Sequence, residues 1–283
     1  MTPTEDDDTT AIPTAWLFTP GTDPEHFDVA ARCGAGVAIL DLEDAVAKDH
    51  KDRARDSVIE HLKTRDVGDV RCAVRINPPN TVTGLRDLLA LADSGVAPDY
   101  VVVPKVDAAA TVDIVAEVLA DAGLVTGVVA MIETAFAATT LHTIIQDARS
   151  PIAALMYGAA DMAGDLGAET GTAVLAQARS ACLLAAAAAR IPVIDTPFFD
   201  IGDAAGLGID IADAVRSGFS AKAAVHPAQI APIVERFTPS ADQIDWATNV
   251  VDTATGGVGT VDGQMVDEAI ARRARRILAR ARR

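Results

Sequence analysis

Eight short apolar runs recur along the chain at a regular pitch, and a stretch with helical spacing follows each of them. The runs are Trp16–Thr19, Val37–Leu42, Arg71–Ile76, Tyr100–Pro104, Val128–Ile132, Ala153–Tyr157, Pro192–Ile194 and Ala221–Val225. They are rich in β-branched residues and lack the in–out alternation of a half-exposed strand, as strands covered on both faces should. Between them, apolar residues return every three or four positions: Val112, Val115, Ala116 and Leu119 form one such face, and Leu207, Ile211, Ala214 and Val215 another. Eight βα repeats in about 220 residues describe an α/β chain closed into a (β/α)8 TIM barrel. An open doubly wound sheet is the competitor, but it usually carries a GxGxxG turn after its first strand, where this chain has TPGTDPEH. With 50% hydrophobic but only 4% aromatic residues, the core has to be built from Ala, Val, Leu and Ile.

Outside the repeats, residues 1–13 begin MTPTEDDDTT, an acidic polar tail that reads as disordered and has no basic-then-apolar secretory signal. The barrel is expected over 14–240. Residues 241–283 read as a helical lid or arm: a helix after Pro239 with Ser240 as N-cap, a glycine-rich flexible hinge (ATGGVGTVDGQMVD), and a last helix from about Asp267. That helix would carry Ile270, Ala274, Ile277, Leu278 and Ala281 on one face.

No apolar run has the length of a membrane span; Cys182 to Ala189 is short and lies between Arg179 and Arg190. Cys33, Cys72 and Cys182 show no CxxC spacing, which predicts buried thiols in a reducing cytoplasm and no zinc or redox site. A formal net charge of −16 argues against nucleic acid as a partner. The last twelve residues, RRARRILARARR, hold seven arginines, so the remaining chain is more acidic still. These arginines suit the end of a helix macrodipole, or an anion or acidic neighbouring subunit.

Barrel chemistry gathers on the loops that follow the strands. There the chain offers Thr19-Pro20-Gly21, Leu42-Glu43-Asp44, Arg75-Ile76-Asn77, Lys105, Glu133-Thr134, Gly158-Ala159-Ala160-Asp161 and His226-Pro227. Nearly every strand ends in polar or charged residues, which marks a site. Glu133 and Asp161 end adjacent strands, so two carboxylates can converge on one cation, as Mg²⁺ is usually held. No His or Cys cluster accompanies them, which disfavours zinc. Arg75 offers a planar fork to a carboxylate or an enolate. Each has a plainer alternative: Glu133 could cap the helix after it, and Arg75 could pair with Asp41 or Glu43. There is no GxSxG and no P-loop, and His226 before a proline reads as orienting structure rather than a base.

In order along the chain, LFTPG (17–21), ILDLEDAV (39–46), AVRIN (73–77), VVPKV (102–106), IETA (132–135), GAADMAGDLG (158–167), GFSAKAAVHPAQI (218–230) and VDGQMVD (261–267) resemble the citrate lyase β-subunit-like family of the HpcH/HpaI aldolase/citrate lyase group. That family includes malyl-CoA and citramalyl-CoA lyases, and the resemblance covers nearly everything after the tail. It implies Mg²⁺ on Glu133 and Asp161, with Arg75 at the substrate's carboxylate and oxyanion. The Gly158, Ala159, Ala160 and Asp161 backbone and Pro20 would hold a 2-oxo acid, and Lys51 and Arg55 would lie toward CoA. Glu43 would orient Arg75 or a metal-bound water, with Asp44 doing the same or capping the next helix. Asp267, in the family's DGxMxD pattern, would reach a neighbouring subunit's site as acid/base, which implies a homotrimer or a multiple of it.

The activity so implied is Mg²⁺-dependent cleavage or formation of a carbon–carbon bond in a 3-hydroxyacyl-CoA, with a 2-oxo acid and an acyl-CoA as partners. The alternatives are a malate synthase or malyl-CoA thioesterase outcome, a CoA-free 2-oxo acid aldolase, and a non-catalytic 2-oxo acid binder. The chain departs from the family pattern at Thr14-Ala15, where an arginine is common, and at Glu25 and Val29, where basic residues can meet CoA phosphates. It departs again at Ala221, which replaces the glycine of GFxGK.

Overall fold

In a computed structural model, residues 12–65, 70–255 and 257–281 are described. The tail expected over 1–13 lies outside them as far as residue 11. The chain divides into two compact units, one spanning Ile12–Ile233 and the other containing Val234–Arg283.

In the first unit, eight parallel strands close into a barrel in chain order. They are Ala15–Pro20 (β1), Val37–Asp41 (β2), Arg71–Arg75 (β3), Tyr100–Val103 (β4), Gly127–Ile132 (β5), Ile152–Tyr157 (β6), Val193–Asp195 (β7) and Ala221–Ala224 (β8). Pairing of β1 with β8 completes the ring. The helices between them are Pro24–Arg32 (α1), Lys51–Thr64 (α2), Val82–Ser94 (α3), Ala109–Asp121 (α4), Ala135–Asp147 (α5), Ala159–Leu166 (α6), Ala173–Ala189 (α7) and Ala204–Ser217 (α8). This is a (β/α)8 TIM barrel, with two helices in the step between β6 and β7.

Because side chains alternate along a strand, each strand sends every second residue inward. The inward rows share one apolar core: Trp16; Val37 and Ile39; Ala73; Tyr100 and Val102; Val129 and Met131; Ala154 and Met156; Ile194; Ala221 and Ala223. Ile12 joins this core at 4% exposure and Trp16 donates its indole N–H to Pro13 O at 2.8 Å, so residues 12 and 13 belong to the barrel and not to the tail. Continued by two residues toward the strands' C-terminal ends, the same rows reach Asp41, Arg75, Glu133, Gly158 and Thr196. The lower barrel is therefore a packed hydrocarbon layer, and its upper rim is charged.

The outward rows also hold one charged cluster. Lys222 on β8 is fully buried, and its Nζ lies 2.9 Å from Asp195 Oδ2 on β7 and 2.5 Å from Asp210 Oδ2 on α8. Arg179 on α7 reaches Asp195 Oδ1 at 2.8 Å and Asp213 Oδ2 at 2.6 Å. These ions lock β7 and β8 to their covering helices, and leaving any one without its partner would strand a charge away from water. The lysine of the GFSAK motif is thus part of the wall.

The boundary between the units falls inside a helix, Ile230–Phe237 (α9). The second unit then holds Ala241–Thr255 (α10), the strands Gly259–Val261 (β9) and Gln264–Val266 (β10), and Glu268–Ala281 (α11). Ser240 caps α10 in a reciprocal pair with Gln243, as its sequence indicated. The expected flexible hinge is instead an antiparallel hairpin, with Val261 opposite Gln264. Asp262 and Gly263 turn it at φ of 50° and 78°, the left-handed pair that a two-residue turn requires. Ala247, Val250, Val266 and Ala274 form this unit's own small core, with Ile270, Ile277 and Leu278 packed against it.

Candidate active site

Glu133 follows β5 directly and is 1% exposed. It does not cap α5; Thr134 does, accepting from the Ala137 N–H at 3.1 Å. Its carboxylate is therefore not spent on the helix. One oxygen, Oε1, accepts the Lys105 backbone N–H at 2.8 Å, while Oε2 is buried without a hydrogen-bond partner. Gly158 on the neighbouring strand end makes the room: a Cβ there would stand 2.5 Å from Glu133 Oε2. Burial, reinforced by Asp161 and Glu43, pushes the Glu133 carboxyl up to about 8.

A carboxyl raised from an ordinary 4.5 to about 8 holds a proton in the folded chain that the unfolded chain has released, so stability falls as pH rises through that window. Glu133→Gln, which never ionises, is therefore expected to melt several degrees above wild type near pH ~8 with no divalent cation added, the gap narrowing toward pH ~5. Equal melting temperatures at the higher pH would contradict this burial argument.

Asp161 lies in the first turn of α6, whose leading amides at Ala159, Ala160 and Asp161 have no carbonyl one turn earlier to pair with. The Ala159 N–H is taken by Thr196 Oγ1 at 3.3 Å. Lys105, Glu133, Thr134, Ala160, Asp161, Gly164 and Asp165 line one open cleft of about 520 Å³. Lys105 reaches Glu43 Oε1 at 2.8 Å and Asp161 Oδ1 at 3.3 Å. Both ion-pair partners suggested for Arg75 are real. Its Nε and Nη2 donate to Asp41 at 2.7 and 2.5 Å, and its Nη1 lies 3.0 Å from Glu43 Oε2. Burial raises the Glu43 carboxyl, against the pull of Arg75 and Lys105. Asp41 also accepts the Glu43 and Ala45 N–H groups at 2.8 and 3.1 Å, so the last residue of β2 organises both the arginine and the loop.

Most of the remaining expected site residues are engaged by contacts within the chain. Arg55 is 8% exposed with its guanidinium committed to Asp87 at 2.8 Å and Asp52 at 2.7 Å, which turns it inward. Lys51 Nζ donates to the Leu42 and Glu43 carbonyls at 2.7 and 2.6 Å, bracing the loop after β2. Both cations are thus paired within the chain. Pro20 closes β1, and Gly21 behind it donates to Asp41 O at 2.9 Å. Asp44 is exposed and far from the start of α2 at Lys51, so it is no helix cap. His226 accepts the Ala228 N–H through Nδ1 at 3.2 Å, the orienting role its sequence suggested. Asp267 is the N-cap of α11: its Oδ1 accepts from Ala269 and Ile270 at 2.9 and 3.0 Å. Lys105, to which its place at a strand end alone assigns no role, is brought among three carboxylates. Its signal was its place at the end of β4, beside β5.

One family model, HpcH/HpaI aldolase/citrate lyase, matches the chain over residues 14–227. The chain belongs to this family. Among its relatives, a citrate lyase subunit beta-like protein of Mycobacterium tuberculosis is 35% identical, covering 94% of both chains. A (3S)-malyl-CoA thioesterase of Cereibacter sphaeroides is 32% identical, covering 94% of this chain and 93% of the relative. A crystal structure of the M. tuberculosis protein CitE in complex with magnesium, acetoacetate and coenzyme A superposes with a TM-score of 0.82 at 35% identity, covering 96% and 99% of the two chains.

The residues present fit a hard divalent ion. Glu133 supplies a buried carboxylate oxygen that nothing satisfies, Asp161 supplies a second carboxylate on the same cleft, and apart from the Lys105 ammonium the side-chain polar atoms lining it are oxygens. No group of three or more His, Cys, Asp or Glu poised around a metal exists among the described residues, so substrate oxygens and water would complete the shell. No helix among them is long and apolar enough to cross a membrane.

Proposed function

We propose that this member of the family is a Mg²⁺-dependent carbon–carbon lyase acting on a 3-hydroxyacyl-CoA dicarboxylic acid such as malyl-CoA or citramalyl-CoA. The observation that carries the reading is the partnerless buried oxygen of Glu133, a residue that lines one cleft with Asp161. The magnesium and coenzyme A in the similar CitE structure support both ligands. Held by Glu133 and Asp161, Mg²⁺ would supply Lewis-acid charge at the substrate's carboxylate and hydroxyl oxygens.

The remaining chemistry belongs to the chain. Asp267 of a neighbouring subunit takes the proton from the substrate hydroxyl. As that oxygen becomes the carbonyl of the 2-oxo acid, the carbon–carbon bond breaks and its electron pair passes to the acyl-CoA as an enolate, which takes the proton back from Asp267 to give the acyl-CoA. Capping occupies only Oδ1 of Asp267, leaving Oδ2 for the proton. Arg75, held rigidly by Asp41 and Glu43, contributes fixed positive charge beneath the developing anion, where preorganised charge acts most strongly. Amides at the start of α6 grip the carboxylate of the 2-oxo acid. The active form is an oligomer, a trimer or a multiple of one.

The malyl-CoA thioesterase at 32% identity favours a second outcome, in which water cleaves the thioester. Incubation with malyl-CoA and Mg²⁺ separates the two. A lyase releases glyoxylate and acetyl-CoA with no free thiol, whereas a thioesterase releases malate and one equivalent of CoA thiol. Stoichiometric thiol without accumulating acetyl-CoA would overturn the lyase reading.

A further inference from the structure

One side chain stands among the acids of the cleft without a part in this mechanism. Lys105 presents two nitrogens to three carboxylates: its backbone N–H donates to Glu133 Oε1 at 2.8 Å, and its Nζ lies 2.8 Å from Glu43 Oε1 and 3.3 Å from Asp161 Oδ1. To do so it holds φ at 50°, a left-handed conformation that a lysine adopts only when its surroundings impose it. We propose that Lys105 is a built-in counter-cation of the metal pair, holding Asp161 until Mg²⁺ displaces it and thereby setting how tightly the metal binds. The inference rests on Glu133 and Asp161 being the metal ligands.

The geometry gives the displacement a direction. The contact to Glu43 is the shorter one, and its acceptor is 4% exposed. The contact to Asp161 is longer and its acceptor is 31% exposed, so it yields first. Glu43 then keeps the ammonium at the edge of the cleft while Asp161 turns to the metal. The backbone amide stays on Oε1 of Glu133 and leaves Oε2 as the oxygen for the ion. Lys105 is in these terms a positioning residue.

A cation beside a cation site weakens it. A unit charge and a divalent ion about 6 Å apart change affinity roughly tenfold even with water-like screening. The test is calorimetric titration of MgCl₂ into chelator-stripped full-length protein, with circular dichroism to check folding. Lys105→Met and Lys105→Gln remove the charge and are expected to bind Mg²⁺ about tenfold more tightly than wild type. Lys105→Arg keeps the charge and should stay within about threefold of wild type. A lysine that merely braced the loop would give the opposite sign, with looser binding in both neutral variants. Unchanged or weaker affinity in folded Lys105→Met and Lys105→Gln overturns the inference while leaving the metal pair standing. A wild type that binds no Mg²⁺ overturns the metal pair itself, and the inference with it.

Discussion

Alanine at Glu133 or at Asp161 is expected to lower Mg²⁺-dependent turnover by on the order of a thousandfold or more, equivalent to about 4 kcal/mol of transition-state stabilisation. The expectation is specific because neither carboxylate caps a helix, and the contacts each makes within the chain go to Lys105. Thr134, not Glu133, caps α5, and the second oxygen of Glu133 is satisfied by nothing. Asp161 sits in the first turn of α6, where its charge favours the helix by only a fraction of the ~1 kcal/mol typical of such sites. Both variants should therefore fold with melting temperatures near or above that of wild type, yet lose the upward shift that Mg²⁺ gives the wild-type protein. Substantial Mg²⁺-dependent turnover in either one would remove the metal assignment.

Asp267→Asn is the second large effect. Asparagine caps a helix as well as aspartate does, so α11 should survive intact. It cannot accept a proton, however, and a lost general base costs about 10²–10⁴ in rate. Turnover is expected to fall by that factor while Mg²⁺ binding is unchanged. The trans arrangement makes a sharper demand: Asp267→Asn subunits mixed and reassembled with Glu133→Ala subunits should regain part of the activity, because some sites then combine an intact metal pair with an intact neighbouring aspartate. Mixtures no more active than their components, or full wild-type activity in a monodisperse monomer, would contradict the neighbour's role. Ending the chain after Thr238 should likewise remove turnover and leave the barrel folded.

The strands were legible because they are covered on both faces and so appear as uninterrupted apolar runs; the rim was legible because the inward rows stop being apolar where solvent and substrate begin. What escaped the sequence was decided by the partners that folding brings together. Arg55 looks like a cation available to CoA until Asp87 takes it into the interior. Lys51 looks similar until two carbonyls of the preceding loop claim it. Of the two acids suggested for Arg75, Asp41 makes the two-point contact and Glu43 a single one, a division that only the folded geometry decides. Lys222 sits in a conspicuous motif whose purpose is a buried ion cluster behind the barrel wall. The Asp262-Gly263 hairpin was readable from its turn dipeptide, and its glycine-rich flanks hid it.

The central claim is a metal-dependent carbon–carbon bond chemistry on a CoA thioester, and one measurement meets it directly. Purified protein is incubated with acetyl-CoA or propionyl-CoA and with glyoxylate or pyruvate, with Mg²⁺ or with excess chelator, and the products are identified by mass. The expected result is a new thioester whose mass is the sum of the acyl-CoA and the 2-oxo acid, formed only with Mg²⁺ and absent with Glu133→Ala. A product that forms equally in chelator, or no condensed product from any of the four pairings while Mg²⁺ demonstrably binds, would contradict the account.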